Sequence, residues 1–283
     1  MKPFHIFLGI CVAVIWGGGF LFSKIAIEHF PPILLMAFRF LVTALILAWF
    51  VPVPRGKLFK IFLISLISAA IQYSLTFTGL KYLDASTAII IVQLEVPFAV
   101  LIAVIFLKDR VNFIKFLGMA LSFSGILLIA GEPRLSENLI AVLLVASGAF
   151  TWAVGQVMIK SLGIVGGFTL IAWVAIFATP QLFVASWFFE SDQLMAIETA
   201  SLTIWAIVLY LGIVMTALGY AIWYHLLGLY PVYQVTPFLL LLPVTTMLGG
   251  VFLLDEQLTL HLILGALLAI SGVVIINFRQ RAN

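Results

Sequence analysis

The run Ser86-Thr87-Ala88-Ile89-Ile90-Ile91-Val92-Gln93-Leu94-Glu95-Val96-Pro97-Phe98 decides the fold. It opens an apolar stretch that continues to Leu107, long enough to cross the hydrocarbon core of a bilayer as a helix. Glu95 falls about half way along it. An acid at that depth costs on the order of 2.5–3.5 kcal/mol on insertion scales, so it must face protein or water rather than lipid. Two residues later Pro97 has no N–H to give to the preceding turn, which frees a carbonyl beside the carboxyl group. Freed backbone at membrane depth is tolerated where it is buried in protein or lines a cavity. The stretch therefore predicts a membrane span with a polar space beside it.

The rest of the chain agrees in composition. It is 64% hydrophobic and 9% charged, where a soluble domain carries roughly 25% charged residues, so it reads as a polytopic membrane protein. The net charge of +3 is not taken as affinity for nucleic acid, because its distribution along the chain carries the information instead. Cys11 is the single cysteine, which excludes an intramolecular disulfide. Lys2 precedes a run too long for a signal-peptide core, so the first segment is read as a retained helix. Ten spans are expected, at about 4–27, 33–51, 58–80, 86–107, 113–131, 138–159, 166–189, 202–226, 234–254 and 260–278. Breaker-rich connections such as Pro31-Pro32 and Gly131-Glu132-Pro133 separate them, and no linker is long enough to mark a soluble domain.

Basic residues orient this chain. With a cytoplasmic N-terminus, Lys2, Arg55, Lys57, Lys60, Lys108, Arg110, Lys115, Lys160, Arg279 and Arg281 fall inside, against Lys24, Lys81 and Arg134 outside. Ten against three satisfies the positive-inside rule and puts both termini in the cytoplasm. An internal repeat follows. Trp16, Gly19 and Lys24 recur 136 positions on as Trp152, Gly155 and Lys160. Phe106-Leu107-Lys108-Asp109 recurs 146 on as Phe252-Leu253-Leu254-Asp255, and Pro97 as Pro243. Gly118, Ser124 and Gly125 recur 147 on as Gly265, Ser271 and Gly272. Each half, 1–133 and 134–283, holds five spans, so the second half starts on the opposite side of the membrane. Lys108 and Arg110 become Leu254 and Glu256, the charge change that inversion requires. The expected fold is an all-α integral membrane protein, ten transmembrane helices forming two inverted-topology five-helix repeats around a central cavity.

Several polar residues inside the spans are candidates to line that cavity. Glu95 either takes up a proton and couples it to transport or is a fixed, paired carboxylate. Arg39 either holds a substrate carboxylate, snorkels outward, or locks to Glu95. Tyr73 and Thr76 share one helix face, as do Trp152 and Gln156, and Gln93 adjoins Glu95. Thr216, Tyr220, Trp223 and Tyr224 follow helical spacing as a polar-aromatic stripe, although Trp223, Tyr224 and His225 also sit where an interfacial belt belongs. Gly17, Gly18 and Gly19 permit close helix contact or bending, and Pro97, Pro237 and Pro243 are candidate hinges or packing residues. Lys24 and Lys160 read as snorkelling residues at helix ends.

Taken together, Trp16-Gly17-Gly18-Gly19-Phe20, Arg39-Phe40, Gly79-Leu80-Lys81-Tyr82-Leu83-Asp84-Ala85-Ser86, Leu94-Glu95 with Pro97, and the segments Gly118 to Gly125 and Gly265 to Gly272 resemble the drug/metabolite transporter superfamily, in its ten-helix EamA branch. The resemblance spans the whole chain and is nearest to amino-acid exporters of the YddG type. Val96 interrupts the family's Leu-Glu-Pro element, and the second half carries Leu241-Leu242-Pro243 without an acid. The resemblance implies a bacterial plasma (inner) membrane protein exporting amino acids and related small metabolites by alternating access, or else drugs and quaternary cations. The expected partners are a small-molecule substrate and the lipid bilayer, with no nucleic acid, and the chain is read as a monomer. No cofactor, metal site or enzymatic activity is expected, since His5, His29, His225 and His261 are scattered and no nucleophile or phosphate-loop motif appears.

Overall fold

A computed structural model describes residues 1–107, 113–163, 165–230 and 232–278. Lys108, Asp109, Arg110, Arg279 and Arg281, all used in the sequence reading, lie outside those residues. Every regular element among the described residues is helical. Among the described residues nine runs are long and apolar enough to cross a bilayer, and a further apolar helix, Leu260–Ile276, is shorter than that length.

The helices are α1 (Pro3–Ile27), α2 (Pro32–Leu47), α3 (Leu58–Ser65), α4 (Gln72–Lys81), α5 (Ala85–Val92), α6 (Glu95–Leu107), α7 (Phe113–Ala130) and α8 (Leu139–Ser161). After them come α9 (Gly167–Phe189), α10 (Gln193–Thr199), α11 (Leu202–Leu209), α12 (Gly219–Leu229), α13 (Val232–Val235), α14 (Leu241–Leu254) and α15 (Leu260–Phe278). The short helix α10 occupies a connection that the sequence reads as loop.

Four of the expected spans are not plain helices. The fourth breaks at Gln93-Leu94 between α5 and α6, where tight turns bond Gln93 N to the Ile90 carbonyl at 3.0 Å and Leu94 N to that of Ile91 at 3.0 Å. The ninth is interrupted in the same place by the 3-10 segment Thr236–Leu240, which carries Pro237. Pro97 and Pro243 are each the third residue of the helix that restarts, α6 and α14. In a first turn the missing proline N–H breaks no intrahelical bond, so proline there starts a helix rather than kinking one. The third and eighth spans stay continuous but pass through π-helical segments, Leu66–Ile71 and Tyr210–Leu218. Each ends two residues before a tyrosine, Tyr73 and Tyr220, and those two lie 147 positions apart.

Packing between helices follows the same offsets. Glycines let α7 and α15 approach backbone to backbone. A Cβ on Gly118 would lie 2.8 Å from the Gly272 carbonyl oxygen, and one on Gly265 would lie 2.7 Å from that of Gly125. Gly19 of α1 admits Met215, while Gly155 of α8, its counterpart in the sequence repeat, admits Ser68. Gly17 is covered by Thr245 and Thr246, and α1 runs unbroken through Gly17, Gly18 and Gly19. The three glycines thus act as contact points in this structure rather than as a bend. Gly125→Leu is expected to cost about 1–3 kcal/mol through overpacking against backbone that has no room to move. A thermal melt in detergent measures it, and a wild-type melting temperature would contradict the close-packed crossing.

Candidate functional site

The two breaks and the second π-helical segment border one cavity of about 790 Å³, which Gln72 and Tyr73 join just after the first π-helical segment. Its lining includes all eight of Arg39, Tyr73, Thr76, Gln93, Glu95, Trp152, Gln156 and Tyr220. Trp16, Trp223 and Tyr224 line it too. The belt reading of Trp223 and Tyr224 is therefore replaced: both turn inward, because Trp16 packs against Tyr220 at 5.0 Å and against Trp223 at 5.6 Å, and Tyr224 covers Gly167. Trp16 is held by its indole N–H, which donates to the Met215 carbonyl at 2.9 Å. In the sequence Trp16 stood out as a repeat marker and in the Trp16 to Phe20 stretch, not as a cavity residue, since its aromatic partners come from a segment some two hundred residues away.

The cavity has one open end. Lys115, Lys160, Gly167, Leu227 and Ile276, which lie at or near helix ends on the side where α1 begins, belong to its lining. At its other end stand Phe20, Phe77 and Ile89, and beyond them Phe30, Leu34, Leu80 and Leu83 are almost fully buried. We call these sides the N-terminal face and the far face.

Arg39 lies near the closed end and is 1% exposed. Its Nε–H donates to Thr216 Oγ1 at 2.9 Å, while the Thr216 hydroxyl donates to the Leu211 carbonyl five residues back at 2.8 Å. That five-residue reach is the π-helical turn, which presents the threonine oxygen to the guanidinium. Nη2 meets the Tyr73 hydroxyl at 3.4 Å, and Nη1 has only the Met36 sulfur at 4.0 Å. The guanidinium carbon stands 4.8 Å from the centre of the Tyr73 ring. Of five guanidinium N–H groups, one reaches an oxygen at ordinary hydrogen-bond length. Glu95 is not a partner, so the ion-pair and snorkelling readings of Arg39 both give way to a cation held inside by hydroxyls and rings.

Glu95 begins α6 and faces the same cavity, half-buried. Among the described residues none hydrogen-bonds or ion-pairs with its carboxyl group. Tyr73 and Tyr220 both border the cavity. Thr76 accepts from Gln72 Nε2 at 3.1 Å.

The far face is closed by charged side chains that cap helix ends on other segments. Lys24 Nζ donates to the carbonyls of Leu80 and Lys81, both at 3.0 Å, at the end of α4. Glu190 accepts from the N–H groups of Ile33 at 2.7 Å and Leu34 at 3.0 Å, at the start of α2. Glu256 accepts from Ala85 N at 2.6 Å, Ser86 N at 3.0 Å and Ser86 Oγ at 2.5 Å, at the start of α5. Lys24 is thus a helix cap rather than a snorkelling side chain. Neither glutamate was read as a helix cap from sequence, where Glu256 marked only the charge change of the repeat, because a cap supplied across the fold leaves no local pattern.

Helices that cross a membrane, broken in matching places around a polar-aromatic cavity, define a multi-pass membrane transporter. The chain belongs to the EamA-like transporter family, whose pattern it matches twice, over residues 3–131 and over residues 139–278. It is 29% identical over 284 residues to the "Probable amino-acid metabolite efflux pump" of Escherichia coli (strain K12), covering 97% of this chain and 95% of that protein. To the protein of the same name in Salmonella typhimurium (strain LT2) it is 30% identical over 287 residues, covering 98% and 96%. A solved crystal structure, 17% identical and matched over 100% of both chains with a TM-score of 0.67, shares the fold.

Thr216→Val removes the one well-placed oxygen on the Arg39 guanidinium and leaves a buried charge short of an acceptor, a loss of about 1–3 kcal/mol. Thr246 is equally buried and bonds only the Gly17 carbonyl at 3.3 Å, so Thr246→Val is the control. Thr216→Val is expected to lower the melting temperature further than Thr246→Val, and equal shifts would show that Arg39 does not depend on this oxygen.

Proposed function

We propose that the protein is a secondary exporter of amino acids, neutral and hydrophobic or aromatic ones among them, and of related small metabolites. It works by alternating access in the bacterial plasma membrane. In this reading ten spans form two inverted halves, 1–133 and 134–283, with both termini in the cytoplasm. Three observations support that arrangement: the contacts that recur at the repeat offsets, the double family match, and the lysines Lys57, Lys60, Lys115 and Lys160 near helix ends on the N-terminal face. The cavity then opens to the cytoplasm, where an exporter collects its cargo.

The observation that carries the substrate class is the Arg39 guanidinium, buried near the closed end of the cavity without a carboxylate partner among the described residues. A planar fork of N–H groups in low dielectric suits a carboxylate. Glu95 and the carbonyls freed at the Gln93-Leu94 break suit an ammonium group, and the rings of Trp16, Trp152 and Tyr220 suit an apolar side chain. Together they fit a zwitterion with an apolar tail. A quaternary cation finds Glu95 but is repelled by Arg39, which places drug export second. The relatives named as amino-acid metabolite efflux pumps support the same choice.

Uptake into liposomes tests this. Radiolabelled phenylalanine is expected to enter, its amide and a lipophilic cation far less, and Arg39→Gln should reduce phenylalanine flux at least about tenfold. Flux of the cation alone would establish the alternative. Glu95→Gln is expected to change how flux depends on pH, and an unchanged profile in a folded variant would make the carboxylate architectural. Tyr73→Ala, Trp152→Ala and Tyr220→Ala should each weaken affinity roughly tenfold; three wild-type affinities would put the site elsewhere.

A further inference from the structure

We propose that Glu256 is the residue that sets which face of the membrane the cavity opens to, by holding the start of α5 closed on the far face. The proposal rests on the alternating-access reading above and concerns a residue outside the cavity.

The start of α5 needs an acceptor. The first N–H groups of a helix have no partner within it and sit at the positive end of its dipole. Ala85 and Ser86 are completely buried, so water does not serve them. Asp84 occupies the N-cap position but its side chain makes no cap bond. Glu256 does that work from the connection between α14 and α15, taking both backbone N–H groups and the Ser86 hydroxyl. That connection leaves α14 through Asp255 in the left-handed conformation, with Glu256 N bonded to the Gly250 carbonyl at 3.0 Å. Gly250 itself faces Ser86 and the Glu256 carboxylate, with no room for a side chain. A segment of the second half is thereby fastened to a helix of the first half across the closed end of the pathway. Separating the two on the far face strips three hydrogen bonds from one carboxylate at once.

The repeat carries an acid at both positions. At the offset of 147 that relates Tyr73 to Tyr220, Gly118 to Gly265 and Gly125 to Gly272, Asp109 stands at the place of Glu256. Glu256 fastens the face that is closed in this structure, so removing it shifts the balance toward opening there.

The test reads accessibility and uses no substrate. In a Cys11→Ser background, Ser23→Cys reports the seal: Ser23 is completely buried, has no hydrogen-bond partner for its hydroxyl, and lies between Phe20 at the cavity's end and Lys24 at the far face. Labelling by a membrane-impermeant maleimide from the far face is expected to be slow, and about tenfold faster with Glu256→Gln, the weight of a lost helix cap. Ser86→Ala, which removes one of the three bonds, should give a smaller rise. Labelling of Gln156→Cys from the N-terminal face, unchanged within about twofold, shows that the fold survives. An unchanged Ser23→Cys rate in folded Glu256→Gln overturns the proposal; if that variant fails to fold, an unchanged rate in Ser86→Ala does so. Faster labelling in a protein that moves no amino acid would sink the exporter reading and leave the role of Glu256 standing, whereas normal flux with unmoved labelling does the reverse.

Discussion

A backbone N–H or C=O left bare in hydrocarbon costs several kcal/mol, and water is not there to relieve it. The helix interruptions in this protein obey that constraint. The breaks at Gln93-Leu94 and at Thr236–Leu240 occur where the chain borders the cavity, and tight turns take up part of the freed backbone. Where α2 and α5 begin and α4 ends, a charged side chain arrives from another segment to complete the terminus. Charges that look expensive in an apolar sequence are thus consumed by helix ends.

The same constraint explains the pairing of special features. A proline at the third position of α6 and of α14, and a π-helical segment before Tyr73 and before Tyr220, stand at equivalent distances along the chain. An irregularity beside a cavity shared by both halves can be satisfied in the same way by each. Chemistry then divides them. Glu95 has Leu241 as its counterpart, and Arg39 bonds into the second π-helical segment through Thr216. The scaffold is close to symmetric while the charges in it are not, and a polar substrate is recognised by the charges.

Close packing holds these elements in place. Glycines on α7 and α15 bring two backbones together, and glycines on α1 and α8 receive Met215 and Ser68 from the π-helical segments. Each of these contacts joins early and late parts of the chain, so neither part could keep its shape of cavity alone. Dispersion at near-contact distances, rather than a difference in hydrophobicity, does this work where lipid is as apolar as the helix surface.

Much of this was legible in the sequence. Long apolar runs imply helices that cross a membrane, because nothing else buries their backbone in lipid, and a glutamate or arginine inside such a run implies a polar space. On those grounds Arg39, Tyr73, Glu95, Trp152 and Tyr220 could be named, and the structure gathers them around one cavity. Tertiary structure alone decided that Arg39 turns to Thr216 and Tyr73 instead of Glu95, that Trp16, Trp223 and Tyr224 face inward, and that Lys24, Glu190 and Glu256 close helix ends. Each of those choices is a meeting between residues from distant segments. Periodicity shows which face of a helix a residue occupies, but only the packed bundle determines what stands opposite it.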